Sequence, residues 1–544
     1  MSVKKYSLWL FIFSGIIAQP DNRFDIFDWV IYRQPGAVHS ISEGFNYTYF
    51  GTENGGVWRY HLYRNTFEEP ITKAQGLTSN QIESVYLDKG TGILWVATDK
   101  TIEYSYSRSG EWTSHSLAEY GLPGGSSIIK IGSSQSYLWL FTGSLFLKLD
   151  RVSGIMISSM TSPDEPSIMW NSDRYYYDFR LPEIYKNYIF SDGWLLHDNQ
   201  LVDPNGRFYN ITTAAEGSMN RIWICSEDGT IFLGDKQMET FYPMTIGPAN
   251  TDVTAMTQGY PIHYAGRTNS MTKGITTFYS DEIEFDFVDF ETTVNMNPQS
   301  IYSILEMEDE IWYGSDFGIL VYDKEDDYWR QLDKTRGVPG VPVLAMAEDS
   351  GSVWVGSPRG ISQIRKQSKR KLPKDLEGIL DNQHVYDIEI VGETVWFAGD
   401  YFLLIYNSRD NLLTDFRKYG DTKEIGNWMN ILKDFRKIKV ANDHVVISTM
   451  NHILDYDIKK KKWSFLLQPT VFPISKTILT IEVTKDWCFI GTDKGLMRYD
   501  RQYLFMEEYP FPFIGSVREI VVHGDILWLG TNEGLIKFHW SYDL

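Results

Sequence analysis

The stretch Leu527-Trp528-Leu529-Gly530-Thr531, close to the C-terminus, is one copy of a pattern that recurs along the chain. The clearest other copies are Leu94-Trp95-Val96-Ala97-Thr98, Ile311-Trp312-Tyr313-Gly314-Ser315 and Val353-Trp354-Val355-Gly356-Ser357. The small residues Gly314, Gly356 and Ala398 follow one another at intervals of 42 residues. A fixed period of about 40–45 residues is typical of a β-propeller, in which each repeat forms one four-stranded blade.

Within one copy, the pattern indicates antiparallel strands and no helix. Residues 81–87 alternate between apolar and polar side chains, residues 88–92 form a turn, and residues 93–97 and 101–106 continue as strands. The repeated tryptophan is interpreted as core between blades. The glycine or alanine that follows is expected where two blades approach closely, because a larger side chain would clash there.

Counting the repeats predicts two rings. The small residue of the pattern stands at positions 51, 97, 141, 225, 265, 314, 356, 398, 448, 491 and 530. The long step from Phe141 to Cys225 predicts a hidden copy around Tyr188–Leu196, which gives about twelve blades. One ring usually holds four to eight blades, so we expect a first propeller over 35–295 and a second over 296–544, with six blades each. A division into seven and five stays open.

The two ends of the chain predict how a ring is closed. The last copy ends near Trp540 after only three strands, whereas Asp28–Tyr32, within the N-terminal segment 19–34, forms a surplus strand. Either edge alone would expose unpaired backbone groups. We therefore expect the N-terminal strand to complete the last blade.

The first 18 residues have the features of a secretory signal peptide. Lys4 and Lys5 precede a short apolar run, Leu8–Ala18, which is too short for a stable membrane anchor. We expect cleavage after Ala18 and a periplasmic or extracellular protein with no stable membrane insertion. The two cysteines, Cys225 and Cys488, are expected to be small buried side chains and not a disulfide.

The net charge and the absence of known catalytic motifs limit the classes of partner and activity that the sequence predicts. A formal net charge of −20 disfavours nucleic acid and anionic lipid as partners. The sequence contains no HExxH motif, zinc-ligand spacing, nucleophile elbow or P-loop. We therefore assign no catalytic residue, no metal ligand and no cofactor, and the sequence leaves the binding residues unassigned. Acidic pairs at a channel mouth could still serve glycosidic cleavage, because a propeller gathers residues from many blades.

Several segments resemble the two-component regulator propeller repeat. The resemblance rests on Gly76-Leu77-Thr78-Ser79-Asn80 followed by the copy at 94–98, and on Gly491-Thr492-Asp493-Lys494-Gly495-Leu496 and Gly530-Thr531-Asn532-Glu533-Gly534-Leu535. It covers nearly all of residues 35–540 and is weak in copies three to five. The N-terminal region is also similar to the propeller portion of the cell-surface protein associated with type IX secretion.

In the first family, such propellers often form the periplasmic sensor half of hybrid histidine kinases that respond to oligosaccharides. This chain departs from that arrangement, since only four residues follow Trp540, and we expect no kinase here. The resemblance implies an exported, non-catalytic propeller that binds a glycan or a protein partner as a recognition or scaffold module. The alternative is a secreted polysaccharide-active hydrolase or lyase with its site at a channel mouth.

Overall fold

The computed structural model describes residues 23–106, 111–174, 181–267, 273–294, 298, 300–367, 370–372, 375–467, 473 and 475–543. The chain is all-β, and its strands form eleven sheets within these ranges. The described ranges also contain two short α-helices, α1 (Phe290–Thr293) and α2 (Asp375–Ile379), and several single turns of 3-10 helix elsewhere along the chain. None of the helices in the described ranges is long and apolar enough to cross a membrane. The predicted signal peptide lies outside the described residues.

Four sheets come first along the chain, after a single strand, β1 (Trp29–Tyr32). We call these four sheets the first ring. Their strands are β2 (Val38–Glu43), β3 (Tyr47–Thr52), β4 (Val57–His61) and β5 (Thr66–Ile71); β6 (Ile82–Leu87), β7 (Leu94–Thr98), β8 (Thr101–Ser105) and β9 (Thr113–Ser116); β10 (Lys130–Ser133), β11 (Tyr137–Phe141), β12 (Phe146–Asp150), β13 (Met156–Met160) and β14 (Met169–Trp170); β15 (Asp173–Arg174), β16 (Ile189–Phe190), β17 (Leu195–His197), β18 (Gln200–Val202), β19 (Phe208–Glu216), β20 (Arg221–Ser226), β21 (Ile231–Asp235) and β22 (Thr240–Met244).

Seven further sheets follow, which we call the second ring. Their strands are β23 (Asp252–Met256), β24 (Ile262–Arg267), β25 (Lys273–Tyr279) and β26 (Glu284–Asp289); β27 (Ile301–Glu306), β28 (Glu310–Ser315), β29 (Gly318–Asp323) and β30 (Tyr328–Leu332); β31 (Ala345–Asp349), β32 (Ser352–Ser357), β33 (Gly360–Arg365) and β34 (Arg370–Leu372); β35 (Val385–Val391), β36 (Thr394–Gly399), β37 (Leu403–Asn407) and β38 (Leu412–Asp415); β39 (Lys437–Ala441), β40 (His444–Ser448), β41 (Ile453–Asp457) and β42 (Lys462–Leu467); β43 (Ile478–Val483), β44 (Trp487–Thr492), β45 (Gly495–Asp500) and β46 (Met506–Tyr509); β47 (Val517–His523), β48 (Ile526–Thr531) and β49 (Leu535–His539).

Close packing at the small residue of the repeat shows which sheets of the second ring are neighbours. A Cβ added to Gly491 would lie 2.8 Å from Cγ1 of Val517 in the next sheet. A Cβ added to Gly530, in the last sheet, would lie 2.9 Å from Cγ1 of Val253 in β23. The predicted need for a small residue is therefore confirmed. The contact between Gly530 and Val253 also makes the β23–β26 sheet the neighbour of the last sheet, which closes a ring of seven.

The first ring has four sheets and the second has seven, which differs from the expected six and six and from the alternative of seven and five. The β23–β26 sheet contacts both β27 and β47, so it belongs to the second ring. The chain therefore passes from the sheets of the first ring to those of the second between Met244 and Asp252. The passage between the rings is not near Asn295, where it was expected, because the sheets before and after that residue both lie in the second ring. Asn295 itself lies outside the described residues. The hidden copy expected at 188–196 is no separate sheet, because β16 and β17 join the sheet of β19–β22. Counting repeats missed this, since the degenerate segment supplies extra strands to one sheet.

The N-terminal strand completes the last sheet, as predicted. β1 pairs antiparallel with β49, with Trp29 opposite Phe538 and Tyr32 opposite Leu535. The Trp29 and Phe538 rings stack with centroids 3.7 Å apart. The Gln75 side-chain amide, from the first ring, donates to the Trp29 carbonyl oxygen at 2.6 Å. β1 therefore closes the second ring and contacts the first.

One apolar core joins the two rings. The ring of Tyr32 in β1 lies 5.1 Å from that of Phe278 in the second ring. Trp58 of the first ring meets Phe285 of the second edge-to-face at 6.0 Å. The repeat tryptophans are buried as predicted; Trp354, for example, is fully buried against Phe397 of the next sheet. Cys225 and Cys488 are free and buried, also as predicted.

A chain segment fills the centre of the first ring. We call residues 169–174 the plug. The Asn171 N–H donates to the Ile131 carbonyl oxygen in β10, and the Ser172 N–H donates to the Ile41 carbonyl oxygen in β2. The Thr213 hydroxyl in β19 donates to Ser172 Oγ at 2.8 Å. β14 pairs with β10 and β15 with β19, so the plug bridges the third and fourth sheets.

Asn171 fastens the plug to β6 and β10. Its side-chain amide donates to Ser84 Oγ at 2.8 Å and to the Val85 carbonyl oxygen at 2.9 Å. Its Oδ1 accepts from the Ile131 N–H at 3.2 Å. Asn171→Ala should therefore cost about 1–3 kcal/mol of unfolding free energy, because buried backbone groups lose their partners. Hydrogen exchange should rise in β6 and β10 and stay unchanged in the second ring.

Asn427→Ala is the matched control, because Asn427 is exposed in the second ring. Unchanged exchange in β6 and β10 of Asn171→Ala would show that the plug does not hold the first ring together.

Candidate functional site in the channel of the second ring

The innermost strand of eight sheets carries a β-bulge, which in six of them comes just after the first residue of the strand. In β27, Ile301 pairs with Ser315 and Ser303 with Gly314, so Tyr302 has no partner across the ladder. The bulged residues of the eight strands are His39, Glu83, Thr212, Thr254, Tyr302, Tyr386, Leu479 and Arg518. Bulges re-aim side chains and are common beside functional sites.

In the second ring, the bulged residues surround one end of the channel. All five of them line a cavity of about 390 Å³, together with Leu344, Arg436, Met450 and others. We call this cavity the mouth. The mouth therefore combines two tyrosines with apolar side chains and two arginines, a composition typical of ligand pockets.

Tyr386 is held firmly in the mouth. Its hydroxyl donates to Asp400 Oδ1 at 2.7 Å. The Arg436 guanidinium lies 3.8 Å from the ring centroid, and the His384 ring stacks on it at 4.6 Å. Burial and the hydrogen bond to Asp400 raise the pKa of Tyr386, although Arg436 opposes them. A tyrosine fixed in this way offers a rigid surface on which a ligand can pack.

The mouth opens into a deeper cavity of about 560 Å³, which we call the chamber. Tyr302, Leu344, Lys437 and Glu519 line both cavities, so the two are continuous. Towards the far end, the walls become charged. Six carboxyl and amine side chains line the chamber: Glu306, Asp387, Glu389, Lys437, Lys439 and Glu519.

The charged groups of the chamber perturb one another. Burial, followed by the Asp387 carboxylate, raises the pKa of Glu389 to about 7. Burial also raises the pKa of Asp387, opposed by Lys437. The pKa of Lys439 is raised by the Glu482 and Glu519 carboxylates, although burial opposes them. Strongly perturbed groups of this kind cluster at functional sites.

The first ring offers a smaller space. The plug leaves a pocket of about 230 Å³ beside Trp170, Tyr86 and Glu43. Within the described ranges, no group of three His, Cys, Asp or Glu side chains could hold a metal ion. The mouth and the chamber of the second ring are each larger than this pocket.

The repeat pattern alone leaves the binding residues unassigned, but the sequence carries a further signal for them. In each of the eight bulged strands, a valine or isoleucine stands directly before the bulged residue, as in Val385-Tyr386 and Val517-Arg518. This β-branched residue packs inward while the next residue turns towards the channel. The repeat period, combined with this valine or isoleucine, would have pointed to Tyr302, Tyr386 and Arg518.

The comparisons with known proteins bear on the fold. A scan against protein-family models gives no match to this chain, and a search of curated proteins gives none either. The chain is similar to PorZ, an essential bacterial surface component of the type-IX secretion system of Porphyromonas gingivalis. That likeness has a TM-score of 0.55 at 12% identity and covers 94% of this chain and 87% of PorZ. It shows that the chain has the PorZ type of β-propeller fold.

Two extracellular domains from B. thetaiotaomicron also match. One is from the putative one-component system BT4673, with a TM-score of 0.45 and 14% identity over 93% of this chain and 70% of that one. The other is from the putative hybrid two-component system BT3049, with a TM-score of 0.43 and 14% identity over 96% and 82%.

Proposed function

We propose that this protein is an exported, non-catalytic recognition module that holds a ligand in the channel of the second ring. The observation that carries the proposal is the mouth, where five bulged strands aim their side chains at one cavity. The mouth and the chamber have volumes in the range of about 300–1,000 Å³ that is usual for ligand pockets. The ligand is an oligosaccharide or an extended segment of a partner protein.

The location and the rigid pairing of the rings support this function. PorZ is a surface component, and the two matching domains from B. thetaiotaomicron are extracellular. Together with the predicted signal peptide, this supports a periplasmic or extracellular location. The apolar core between the rings, which includes Tyr32, Trp58 and Phe278, favours a fixed scaffold over a moving lid.

Removing the tyrosine rings of the mouth should weaken ligand binding about tenfold or more, since each ring supplies a large share of the contact area. Tyr302→Ala and Tyr386→Ala would be compared with the parent on an array of defined oligosaccharides and a displayed peptide library, with calorimetry of the best hit. Tyr503→Ala is the control, because Tyr503 is exposed on the β45–β46 turn. Equal loss in all three variants, or in none, would contradict a site at the mouth.

A second candidate function, a polysaccharide-active hydrolase or lyase, is favoured by one observation. Glu389, with a pKa of about 7, lies two residues from Asp387 in a cavity, and such carboxyl pairs serve general acid–base chemistry. The test is release of reducing ends or unsaturated sugars from a panel of polysaccharides. Turnover abolished by Glu389→Gln would support the enzyme, and intact polysaccharide with measurable binding would support the recognition module.

A further inference from the structure

The lysines of the chamber are already neutralised by carboxylates. Lys437 Nζ lies 3.1 Å from Glu519 Oε2, and Lys439 Nζ lies 2.7 Å from Glu482 Oε2. On the other side of the chamber, Glu306 Oε1 pairs with Lys324 Nζ at 2.9 Å. Each of the three amines therefore has its own carboxylate.

Two carboxyl groups on β35 remain without a cation of their own. Asp387 and Glu389 are two residues apart in one strand, so both side chains point to the same face, towards the channel. Asp387 Oδ2 accepts one hydrogen bond, from the Ile438 N–H at 2.7 Å. Glu389 has no hydrogen bond or ion pair to any residue in the described ranges. The chamber consequently carries excess negative charge where these two groups meet.

A cation that enters the chamber would relieve this repulsion. The mouth, through which it would pass, is lined by tyrosines and apolar side chains, and its Arg518 is paired with Asp252. A strongly hydrated metal ion needs several oxygen ligands, whereas an ammonium group on a ligand needs only hydrogen-bond acceptors around it. The ligand body could then contact Tyr302 and Tyr386.

We propose that the chamber binds the protonated primary amine of a ligand between Asp387 and Glu389, while the rest of the ligand lies in the mouth. This inference rests on the proposed function and names the chemical class of its ligand. The amine belongs either to an amino sugar or to the lysine of a peptide, since both present an alkylammonium group.

The pH dependence of this binding has a definite sign. Glu389 faces charged groups on several elements: Asp387 on its own strand, Lys437 and Lys439 on β39, Glu482 on β43, Glu519 on β47, and Glu306 with its partner Lys324 on β27 and after β29. Because the pKa of Glu389 is about 7, its carboxyl is neutral below that pH and charged above it. Affinity for the amine should rise between pH 6 and pH 8.

The experiment is calorimetry of the full chain with matched probes. The sugar pair is methyl 6-amino-6-deoxyglucoside and methyl glucoside; the peptide pair is Nα-acetyl-lysine methylamide and its Nε-acetylated form. In at least one pair, the amine should bind roughly 10- to 100-fold more tightly at pH 8, as expected for a charge-assisted hydrogen bond. The pair that shows this advantage identifies the source of the amine.

Glu389→Gln should remove the amine advantage and its pH dependence, and Asp387→Asn should reduce it. Glu348→Gln, on the neighbouring strand β31, is the matched control, because Glu348 is exposed and pairs with Lys366. Thermal unfolding confirms that the variants are folded. The unfolding temperature of Glu389→Gln should exceed that of the parent at pH 8, because a carboxyl with a raised pKa destabilises the native state at high pH.

Other outcomes separate this inference from the proposed function. If a ligand binds in a Tyr302-dependent way but the amines have no advantage, the amine site is wrong and the recognition module stands. If Ca²⁺ or Mg²⁺ alone binds with a Glu389 dependence, the chamber is a metal site and the amine proposal fails. If Tyr302→Ala and Glu389→Gln affect no ligand found on either library, both proposals fail.

Discussion

Replacing Trp528 with alanine should lower the free energy of unfolding by about 3–5 kcal/mol, the usual cost of emptying a buried aromatic site. Trp528 is 2% exposed and lies in the core shared by the two rings. Its ring meets Phe278 edge-to-face at 5.6 Å and lies 6.5 Å from that of Tyr32 in β1. The cavity would therefore open where the last sheet, the N-terminal strand and the β23–β26 sheet meet. Denaturant unfolding followed by tryptophan fluorescence and circular dichroism measures the change.

Tyr503→Ala is the control for this loss, because Tyr503 is 76% exposed. Its unfolding free energy should stay within about 0.5 kcal/mol of the parent. An equal and small effect of both variants would mean that Trp528 contributes no packing energy to the joint between the rings.

Deleting residues 24–33 should have a still larger effect, because it removes β1. The last sheet would lose its fourth strand, the stack of Trp29 on Phe538 and the ion pair between Arg33 and Glu533 at 2.5 Å. We expect a loss of at least about 5 kcal/mol in the second ring, since the aromatic stack alone accounts for most of that. Hydrogen exchange by region should show β47–β49 opening first and the first ring largely protected.

A synthetic peptide of residues 24–33 provides the control for the deletion. Added in excess, it should restore protection in β49, because the free edge offers the same backbone partners. If the first ring opened before the second, or if the peptide restored nothing, β1 would not be the closing strand of the second ring.

The sequence was sufficient for the repeat unit and its packing, because these follow from local chemistry. Trp354 and Gly530 belong to a pattern that every blade must satisfy, so their burial and close contacts could be predicted. Closure by Asp28–Tyr32 was also predictable, since a surplus strand and a missing strand must meet. Both conclusions rest on unpaired backbone groups and on the volume of side chains.

The division of the sheets and the plug could not be predicted in this way. The plug depends on Asn171 and Ser172, whose partners Ile131, Val85 and Ile41 lie 40 or more residues away and in no repeat position that the sequence marks. The charged residues of the chamber could not be predicted for the same reason. The valine or isoleucine before each bulge marks the strands that converge on the channel, but it does not say that Asp387 and Glu389 meet Lys437 and Glu519 there.

The pairing of Trp29 with Phe538 also sets an order of events during biosynthesis. Of the described strands, β1 leaves the ribosome first and its partner β49 last. A pairing between two strands that far apart in sequence forms slowly, because the long loop must close before the contact stabilises it. Until then, β1 is an unpaired strand with the exposed aromatic Trp29, a template for wrong pairing. The strand that closes the second ring and contacts the first is thus the one that a chaperone would have to protect longest.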